Sequence, residues 1–82
     1  MHIVYILLSE KDDSRYYIGL TEDLPRRLGE HNRAEKGYSA RYAPWRIETY
    51  LTFTNKQLAA DFEKYLKAGS GHAFLKKRLL SK

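Results

Sequence analysis

The run Ile3–Leu8, with the sequence IVYILL, constrains the fold more than any other stretch of the chain. Side chains of a β-strand alternate between its two faces, and this run is apolar at every position. Both faces therefore have to be covered, as in strands that are packed on two sides. A membrane-spanning helix needs about 20 apolar residues, and this run is far shorter. We therefore predict a strand covered on both sides.

Two more strands and three helices follow from the apolar periodicity and the turn-forming residues. Asp23 and either Thr54 or Asn55 are expected to cap the first two helices. Gly69 is expected to end the second. The predicted strands are Ile3–Leu8, Arg15–Leu20 and Trp45–Phe53, and Lys36–Pro44 is expected to be a loop. The first two helices are predicted to run from Asp23 to about Ala34 or Glu35 and from residue 54 or 55 to about Ala68. The third is predicted to start at Ser70, with Phe74, Leu75 and Leu79 facing inward.

The first two strands are expected to form an antiparallel hairpin, and its register decides where two tyrosines lie. Pairing Leu7 with Arg15 sets Tyr5 opposite Tyr17 and Ile3 opposite Gly19. Residues that lie directly opposite each other share a face of the sheet, so this register brings the two phenols together. A slip of one residue would separate them.

The first helix carries polar residues on its apolar stripe. Leu24, Arg27, Leu28 and His31 follow the i, i+3, i+4, i+7 spacing that lines one helical face. Packing alone would favour apolar residues at all four positions. We therefore expect the guanidinium and the imidazole to face the body of the protein.

The second helix repeats this feature with a carboxylate. Glu63 follows Ala59 and Phe62 on the inner stripe, where a carboxylate is costly unless it is paired or binds a metal. Each of these residues also has a purely structural explanation. Arg27 could form an ion pair with Glu63, His31 could interact favourably with the dipole at the C-terminal end of its helix, and Glu63 could pair with Lys67 at i, i+4.

Composition narrows the range of partners. The chain of 82 residues has 15 Lys and Arg against 10 Asp and Glu, a net charge of +5, and seven tyrosines. A basic surface favours a polyanion such as nucleic acid, although plain solubility is an equal explanation. The absence of cysteine excludes disulfides and thiolate metal sites. Because the N-terminus lacks a secretory signal pattern, we expect a cytoplasmic protein with no membrane partner.

Two phenols, a guanidinium, an imidazole and a carboxylate are a set suited to phosphodiester hydrolysis. That reaction needs a divalent cation, a deprotonated nucleophile and positive charge on the phosphate oxygens. One carboxylate suffices to hold Mg²⁺, which keeps several of its waters. Arginine binds phosphate oxygens in a forked geometry, and a phenol needs nearby positive charge before it can act as a base.

The chain resembles the GIY-YIG nuclease superfamily and looks like one of its small single-domain bacterial members. The first triplet is Ile3-Val4-Tyr5, which keeps the tyrosine but not the glycine. The resemblance extends from Ile3 to about Leu79, and it rests on Tyr17-Ile18-Gly19, on the spaced run Gly19, Leu24, Arg27, Leu28 and His31, on Glu63 downstream, and on the phrase FEKYLKAGSGHAFLKKRL.

The resemblance implies a single α/β (α+β) domain over residues 1–79. Its fold would be a small three-stranded antiparallel sheet flanked by helices, in the order β-β-α-β-α-α. The implied function is a divalent-metal-dependent DNA endonuclease with a single Mg²⁺ or Mn²⁺ held by Glu63. Arg27 would contact the scissile phosphate, Tyr17 or Tyr5 would activate water, and His31 would assist. Tyr17 is favoured because Gly19 is expected to leave open space for a phosphate.

Two other classes of function remain open. One is a non-catalytic nucleic-acid-binding module that keeps the nuclease fold and uses the segment with Tyr38, Arg41 and Tyr42. The other is an interaction domain with a structural polar network. Arg41 and Lys67 are the candidate nucleic-acid contacts. DNA is the expected partner, and a partner protein is a candidate source of specificity for a chain this short.

Overall fold

The IVYILL run is the middle strand of a three-stranded antiparallel sheet. The computed structural model describes residues 1–80. In chain order the elements are β1 (His2–Ser9), β2 (Tyr16–Thr21), α1 (Leu24–Arg33), α2 (Gly37–Tyr42), β3 (Trp45–Phe53), α3 (Lys56–Leu66), α4 (Gly69–Phe74) and a π-helical turn (Leu75–Leu79). The strands lie in the order β2-β1-β3, and both pairings are antiparallel. The expected α+β architecture is confirmed.

Strand β1 is buried on both faces, as its composition predicts. One face packs against α3 and the C-terminal segments, and the other packs against α1 and the start of β3. The first cluster contains Val4, Ile6, Leu8, Ile18, Ala59, Leu66, Leu75 and Leu80, and the second contains Tyr5, Leu7, Leu24 and Trp45. The sheet is therefore the middle layer between two groups of helices.

Side-chain caps fix the starts of the two longest helices at the expected residues. The Asp23 carboxylate accepts from the backbone N–H of Arg26 at 3.2 Å, and the Asn55 side chain accepts from that of Leu58 at 3.0 Å. After α3 the chain turns at Gly69, whose φ of +56° lies in the left-handed region that favours glycine. Within residues 1–80 no helix is long and apolar enough to cross a membrane.

The segment expected to be a loop contains a helix of six residues, α2. Tyr38 and Tyr42 are four residues apart on it, and their ring centroids lie 4.9 Å from each other. The Tyr38 ring also packs against Trp45 at 5.6 Å. These aromatic contacts stabilise a helical turn that the six-residue sequence GYSARY, which is too short to show a helical period, does not indicate.

The expected inward position of Phe74 is wrong, because α4 packs against α3 through a different face. Gly71 is buried so close to the Tyr65 carbonyl that a Cβ at this position would overlap it. Leu75, one turn further on, shares that face and is fully buried. Phe74 is left at the rim, where its ring contacts those of Phe62 and Tyr65.

The hairpin register differs by two residues from the predicted one. Tyr5 lies opposite Gly19, and Leu7 lies opposite Tyr17. The difference arises at the turn, where Ser9 Oγ accepts from the backbone N–H groups of Lys11 and Asp12 at 3.1 and 3.0 Å. These bonds hold the turn residues out of the strand ladder. An even shift preserves the face, so Tyr5 and Tyr17 still lie on the same side of the sheet.

This register places the Tyr5 ring directly over Gly19. A Cβ on Gly19 would overlap the ring and the hydroxyl of Tyr5. The expected open space above Gly19 is therefore filled by the phenol. Glycine is needed here because Tyr5 extends from the middle strand across the edge strand.

We predict that Gly19→Ala destabilises the fold by about 1–3 kcal/mol, because the added methyl displaces a fully packed ring. Gly29→Ala in α1 is the matched control. Its Cβ would meet only the guanidinium end of Arg33, which can move, and alanine favours a helix by up to about 1 kcal/mol. Urea unfolding of both variants measures the difference. A Gly19→Ala variant as stable as the wild type would contradict the close packing.

Candidate active site

The Tyr5 hydroxyl is held by two side chains from α1. Arg27 Nε donates to Tyr5 Oη at 3.2 Å, and His31 Nε2 lies 3.1 Å from the same oxygen. Tyr5 is 1% exposed and His31 is 6% exposed. Arg27 and His31 are four residues apart, so they lie on one face of the helix. Their expected inward orientation is confirmed, and the group that they face is the phenol.

His31 is neutral at neutral pH. Burial lowers its pKa below the usual 6.5, because desolvation disfavours the imidazolium, and the nearby Arg27 charge lowers it further. A neutral ring gains little from the dipole at the C-terminal end of α1, so the dipole does not explain why histidine is here. The imidazole instead serves as a hydrogen-bonding group with one donor and one acceptor nitrogen.

The neighbours of the imidazole assign its tautomer. A guanidinium can only donate, so Tyr5 Oη accepts from Arg27. Among the described residues, His31 Nε2 is the other hydrogen-bond partner of this buried hydroxyl, and we therefore assign the Tyr5 O–H as the donor to that nitrogen. On the other side of the ring, His31 Nδ1 lies 2.7 Å from Ser39 Oγ. With Nε2 accepting, Nδ1 carries the proton and donates to Ser39. The result is a directed chain of donors, Arg27 to Tyr5 to His31 to Ser39.

Burial also raises the pKa of the Tyr5 phenol above its usual value of 10, because desolvation penalises the phenolate. The hydrogen bond and the charge of Arg27 act in the opposite direction but are the smaller effects. The negative charge of Glu63 adds to the rise, so the α3 carboxylate lies within electrostatic reach of the phenol. Tyr5 is therefore protonated at neutral pH.

Arg27 divides its donors between the site and its own helix. Its Nη1 donates to Glu30 Oε1 at 2.9 Å, while Nε contacts Tyr5. The Arg27–Glu63 ion pair considered from the sequence is therefore wrong, because Glu30 is the carboxylate that meets this guanidinium. Arg27 remains partly exposed, and it lines a surface depression together with Leu20, Thr21, Glu22, Asp23, Arg26 and Glu30. The guanidinium can therefore reach a bound anion.

Glu63 lies on α3 with 20% of its side chain exposed, and Lys67 Nζ contacts its Oε2 at 3.0 Å. The i, i+4 pair considered from the sequence is thus present. Within residues 1–80 no three His, Cys, Asp or Glu side chains come together as a metal-binding group. A single half-buried carboxylate suits Mg²⁺ or Mn²⁺ that keeps most of its waters, and it does not suit a tetrahedral zinc site.

Tyr17 contributes its ring to the site. The ring lies 4.4 Å from that of His31, with an interplanar angle of 59°, and 6.3 Å from that of Tyr5, with an angle of 18°. Tyr17 is partly buried. The two phenols and the imidazole therefore form one packed cluster, as expected, although the Arg27 and His31 hydrogen bonds converge on Tyr5.

The two predicted nucleic-acid contacts lie on or beside different helices. Arg41 is exposed on α2, with its guanidinium carbon 5.8 Å from the centroid of the Tyr42 ring. Lys67 follows α3 and pairs with Glu63. Their roles in binding stay predictions.

The sequence did not indicate Ser39 as a member of the site. It lies in the segment that the sequence predicts to be a loop. No periodic pattern of apolar residues there indicates that its side chain would contact His31. Glu30 lies off the apolar stripe of α1, so that stripe did not indicate it. Its i, i+3 spacing from Arg27 is the signal that could have identified this pair.

Comparisons with known proteins identify the family to which the sequence is similar. The family model for the GIY-YIG catalytic domain matches residues 1–77. A "Structure-specific endonuclease subunit SLX1" of Scheffersomyces stipitis is 42% identical over 67 residues, which cover 73% of this chain and 20% of that protein. The "Structure-specific endonuclease subunit slx1" of Schizosaccharomyces japonicus is 42% identical over 64 residues, 72% of this chain and 23% of that protein.

A bacterial relative is similar over a larger share of both chains. The "UPF0213 protein" of Streptococcus pneumoniae is 35% identical over 77 residues, which cover 94% of this chain and 70% of the relative. By contrast, the matched region spans only about a fifth of the SLX1 proteins. The site brings together Tyr5, Tyr17, Arg27 and His31, which the resemblance to this family had singled out. The match to the family model and the similarity to the pneumococcal relative show that the chain belongs to the GIY-YIG catalytic domain family.

Proposed function

We propose that this chain is a divalent-metal-dependent endonuclease that hydrolyses phosphodiester bonds in DNA. The observation that carries the proposal is the Tyr5 hydroxyl held between Arg27 Nε and His31 Nε2. The names of the SLX1 relatives support the reaction class. The net charge of +5 supports a polyanionic substrate. DNA as substrate is consistent with the cytoplasmic location expected from the sequence.

Tyr5 is the general base in this proposal, and His31 takes its proton. As water attacks the phosphorus, one water proton moves to Tyr5 Oη and the phenol proton moves to His31 Nε2. The imidazolium keeps its Nδ1–H bond to Ser39. The bond from phosphorus to the leaving oxygen then breaks, and that oxygen takes a proton from solvent. This relay needs a neutral histidine, which the lowered pKa of His31 supplies.

Arg27 stabilises two charges that develop during this reaction. Its Nε–H points at the phenol oxygen, where it favours partial phenolate character. The other terminal nitrogen, Nη2, is not the one that donates to Glu30, and on this partly exposed side chain it is placed to approach a phosphate oxygen as negative charge builds up there. Glu30 orients the guanidinium from the solvent side. Arg27 thus connects the base and the phosphate.

The assignment of Tyr5 replaces the earlier preference for Tyr17. That preference rested on open space above Gly19, which the Tyr5 ring fills. Tyr17 instead packs on His31 and Tyr5, and its proposed role is to hold both rings in place.

Glu63 is the proposed ligand of Mg²⁺ or Mn²⁺. When bound, the cation supplies positive charge that lowers the pKa of a coordinated water and neutralises the phosphate. Lys67 contacts the same carboxylate and orients it.

The Glu63–Lys67 pair also favours a second candidate function, a nucleic-acid-binding module without catalysis, in which this pair is only structural. A requirement for both metal and Glu63 separates the two functions.

A partner protein is the proposed source of substrate specificity. The SLX1 relatives are named as subunits of structure-specific endonucleases, and the matched region covers 20% and 23% of their lengths. A single small domain offers little surface with which to recognise a DNA sequence.

We predict that Glu63→Gln lowers Mg²⁺-dependent cleavage of plasmid and branched DNA at least about 100-fold, because the amide keeps the shape but loses the charge that holds the metal. Asp61→Asn is the matched control on the same helix, since that carboxylate faces solvent and accepts from Gln57. Circular dichroism checks the fold of both. Cleavage by Glu63→Gln at the wild-type rate would contradict the metal role.

We also predict that Tyr5→Phe loses about 100-fold or more in cleavage rate, because the proton acceptor is removed while the ring stays. Tyr17→Phe keeps its packing and should lose less than about tenfold. Single-turnover cleavage at saturating DNA, with melting temperatures alongside, separates chemistry from folding. A larger loss in Tyr17→Phe than in Tyr5→Phe would reverse the assignment of the base.

A further inference from the structure

Aromatic and basic side chains form a second surface beside the active site. We call it the α2 patch and define it by Arg15, Lys36, Tyr38, Arg41 and Tyr42, which line one open surface depression. Tyr38 is 41% exposed. The proposed relay from Tyr5 to His31 uses none of these side chains.

The two guanidinium groups of the patch lie over one aromatic ring, that of Tyr42. The guanidinium carbon of Arg15 lies 5.0 Å from the centroid of the Tyr42 ring, and that of Arg41 lies 5.8 Å from it. Asp12 also approaches Arg15, with an oxygen 3.7 Å from Arg15 Nε, but both side chains are half exposed and such a pair is weak. With Lys36, the patch presents three cations against the single carboxylate of Glu35, which lines the same depression.

The aromatic rings connect the patch to the active site. Tyr38 lies 6.5 Å from Tyr17, and Tyr17 lies 4.4 Å from His31. Tyr38 is fixed by a hydrogen bond from its hydroxyl to the Tyr16 carbonyl at 3.0 Å. A half-exposed ring that is held in place beside guanidinium groups is the arrangement on which proteins stack single-stranded bases.

We propose that the α2 patch binds unpaired nucleotides of the DNA strand that passes through the active site, with a base stacked on Tyr38 and phosphates against Arg15 and Arg41. The proposal rests on the nuclease function proposed above and names its substrate class. Bases inside a duplex are stacked on both faces, so only an unpaired base can use the Tyr38 ring. The preferred substrate therefore has single-stranded DNA next to the scissile phosphate.

Binding without cleavage tests the patch directly. Fluorescence anisotropy in EDTA compares the wild type with Tyr38→Ala on a 20-nucleotide single strand and on a duplex of the same sequence. We expect Tyr38→Ala to weaken single-strand binding about 5- to 100-fold, as for the loss of one stacked base, and duplex binding less than twofold. Equal weakening on both DNAs, or none on the single strand, would overturn the proposal.

Matched variants separate stacking from other effects. Tyr38→Phe keeps the ring and loses the bond to Tyr16, so it should bind like the wild type. Tyr65→Ala removes a tyrosine of similar exposure, 43%, that packs with Phe62 and Phe74 instead. It should also bind like the wild type. If Tyr38→Ala does not fold, Tyr38→Leu replaces it with the same expectation.

Two further readouts identify the ligand. Arg15→Gln and Arg41→Gln should each reduce the slope of log Kd against log salt for single-stranded DNA by about 0.7. A single-stranded RNA of the same sequence that binds more tightly and depends more on Tyr38 would overturn the assignment to DNA. Cleavage by the wild type in Mg²⁺ is measured separately. If single-strand binding depends on Tyr38 but the wild type does not cleave DNA, only the proposed nuclease function is refuted. If the wild type cleaves DNA but its single-strand binding does not depend on Tyr38, only the proposed role of the α2 patch is refuted.

Discussion

The crossing of Tyr5 over Gly19 is the contact on which the rest of the site depends. The middle strand is buried on both faces, so its register against β2 is fixed by packing on each side. That register puts a glycine opposite the tyrosine, and the ring passes over the edge strand because no Cβ blocks it. The hydroxyl then arrives between Arg27 and His31 of α1. The sheet therefore positions the phenol, and the helix supplies its partners.

Burial of this contact sets the protonation states that the proposed chemistry needs. Desolvation lowers the pKa of His31 and raises that of Tyr5, so both groups are neutral when no substrate is bound. A neutral imidazole can accept the phenol proton, and a nearby guanidinium stabilises the phenolate that results. Negative charge from Glu63 opposes ionisation of Tyr5. In the proposed function, a cation held by Glu63 would offset this charge and so link metal binding to activation of the base.

Much of the fold was predictable from the sequence because local rules decide it. The apolar run dictates a strand that is covered on both faces, and Asp23 and Asn55 mark helix starts through their side-chain caps. The inward positions of Arg27 and His31 follow from helical spacing alone. The hairpin register was wrong because two hydrogen bonds to Ser9 hold the turn out of the ladder. Helix α2 was missed because its six residues are too few to show a helical period and part of its support, the Tyr38–Trp45 contact, comes from outside the helix.

The partners within the site were less predictable than its members. Spacing placed the five candidate side chains on inner faces, but the distances that pair Tyr5 with Arg27, and His31 with Ser39, depend on how α1 and α2 pack. Ser39 and Tyr38 share the short helix that the sequence did not reveal. Of the two partners that were missed, Glu30 lies on α1 and Ser39 lies on α2, and α2 also carries the surface proposed to hold unpaired DNA.

The tautomer of His31 tests the central claim, that the Tyr5 hydroxyl donates to His31. ¹⁵N NMR of the imidazole at pH 7.5, with His31 assigned by comparison with His2→Gln and His72→Gln variants, reports which ring nitrogen carries the proton. The hydrogen-bond chain predicts a neutral ring protonated at Nδ1, with Nε2 showing the shift of an accepting nitrogen. A proton on Nε2, in either the other neutral tautomer or an imidazolium, would mean that the phenol does not donate to this ring and would contradict the proposed relay.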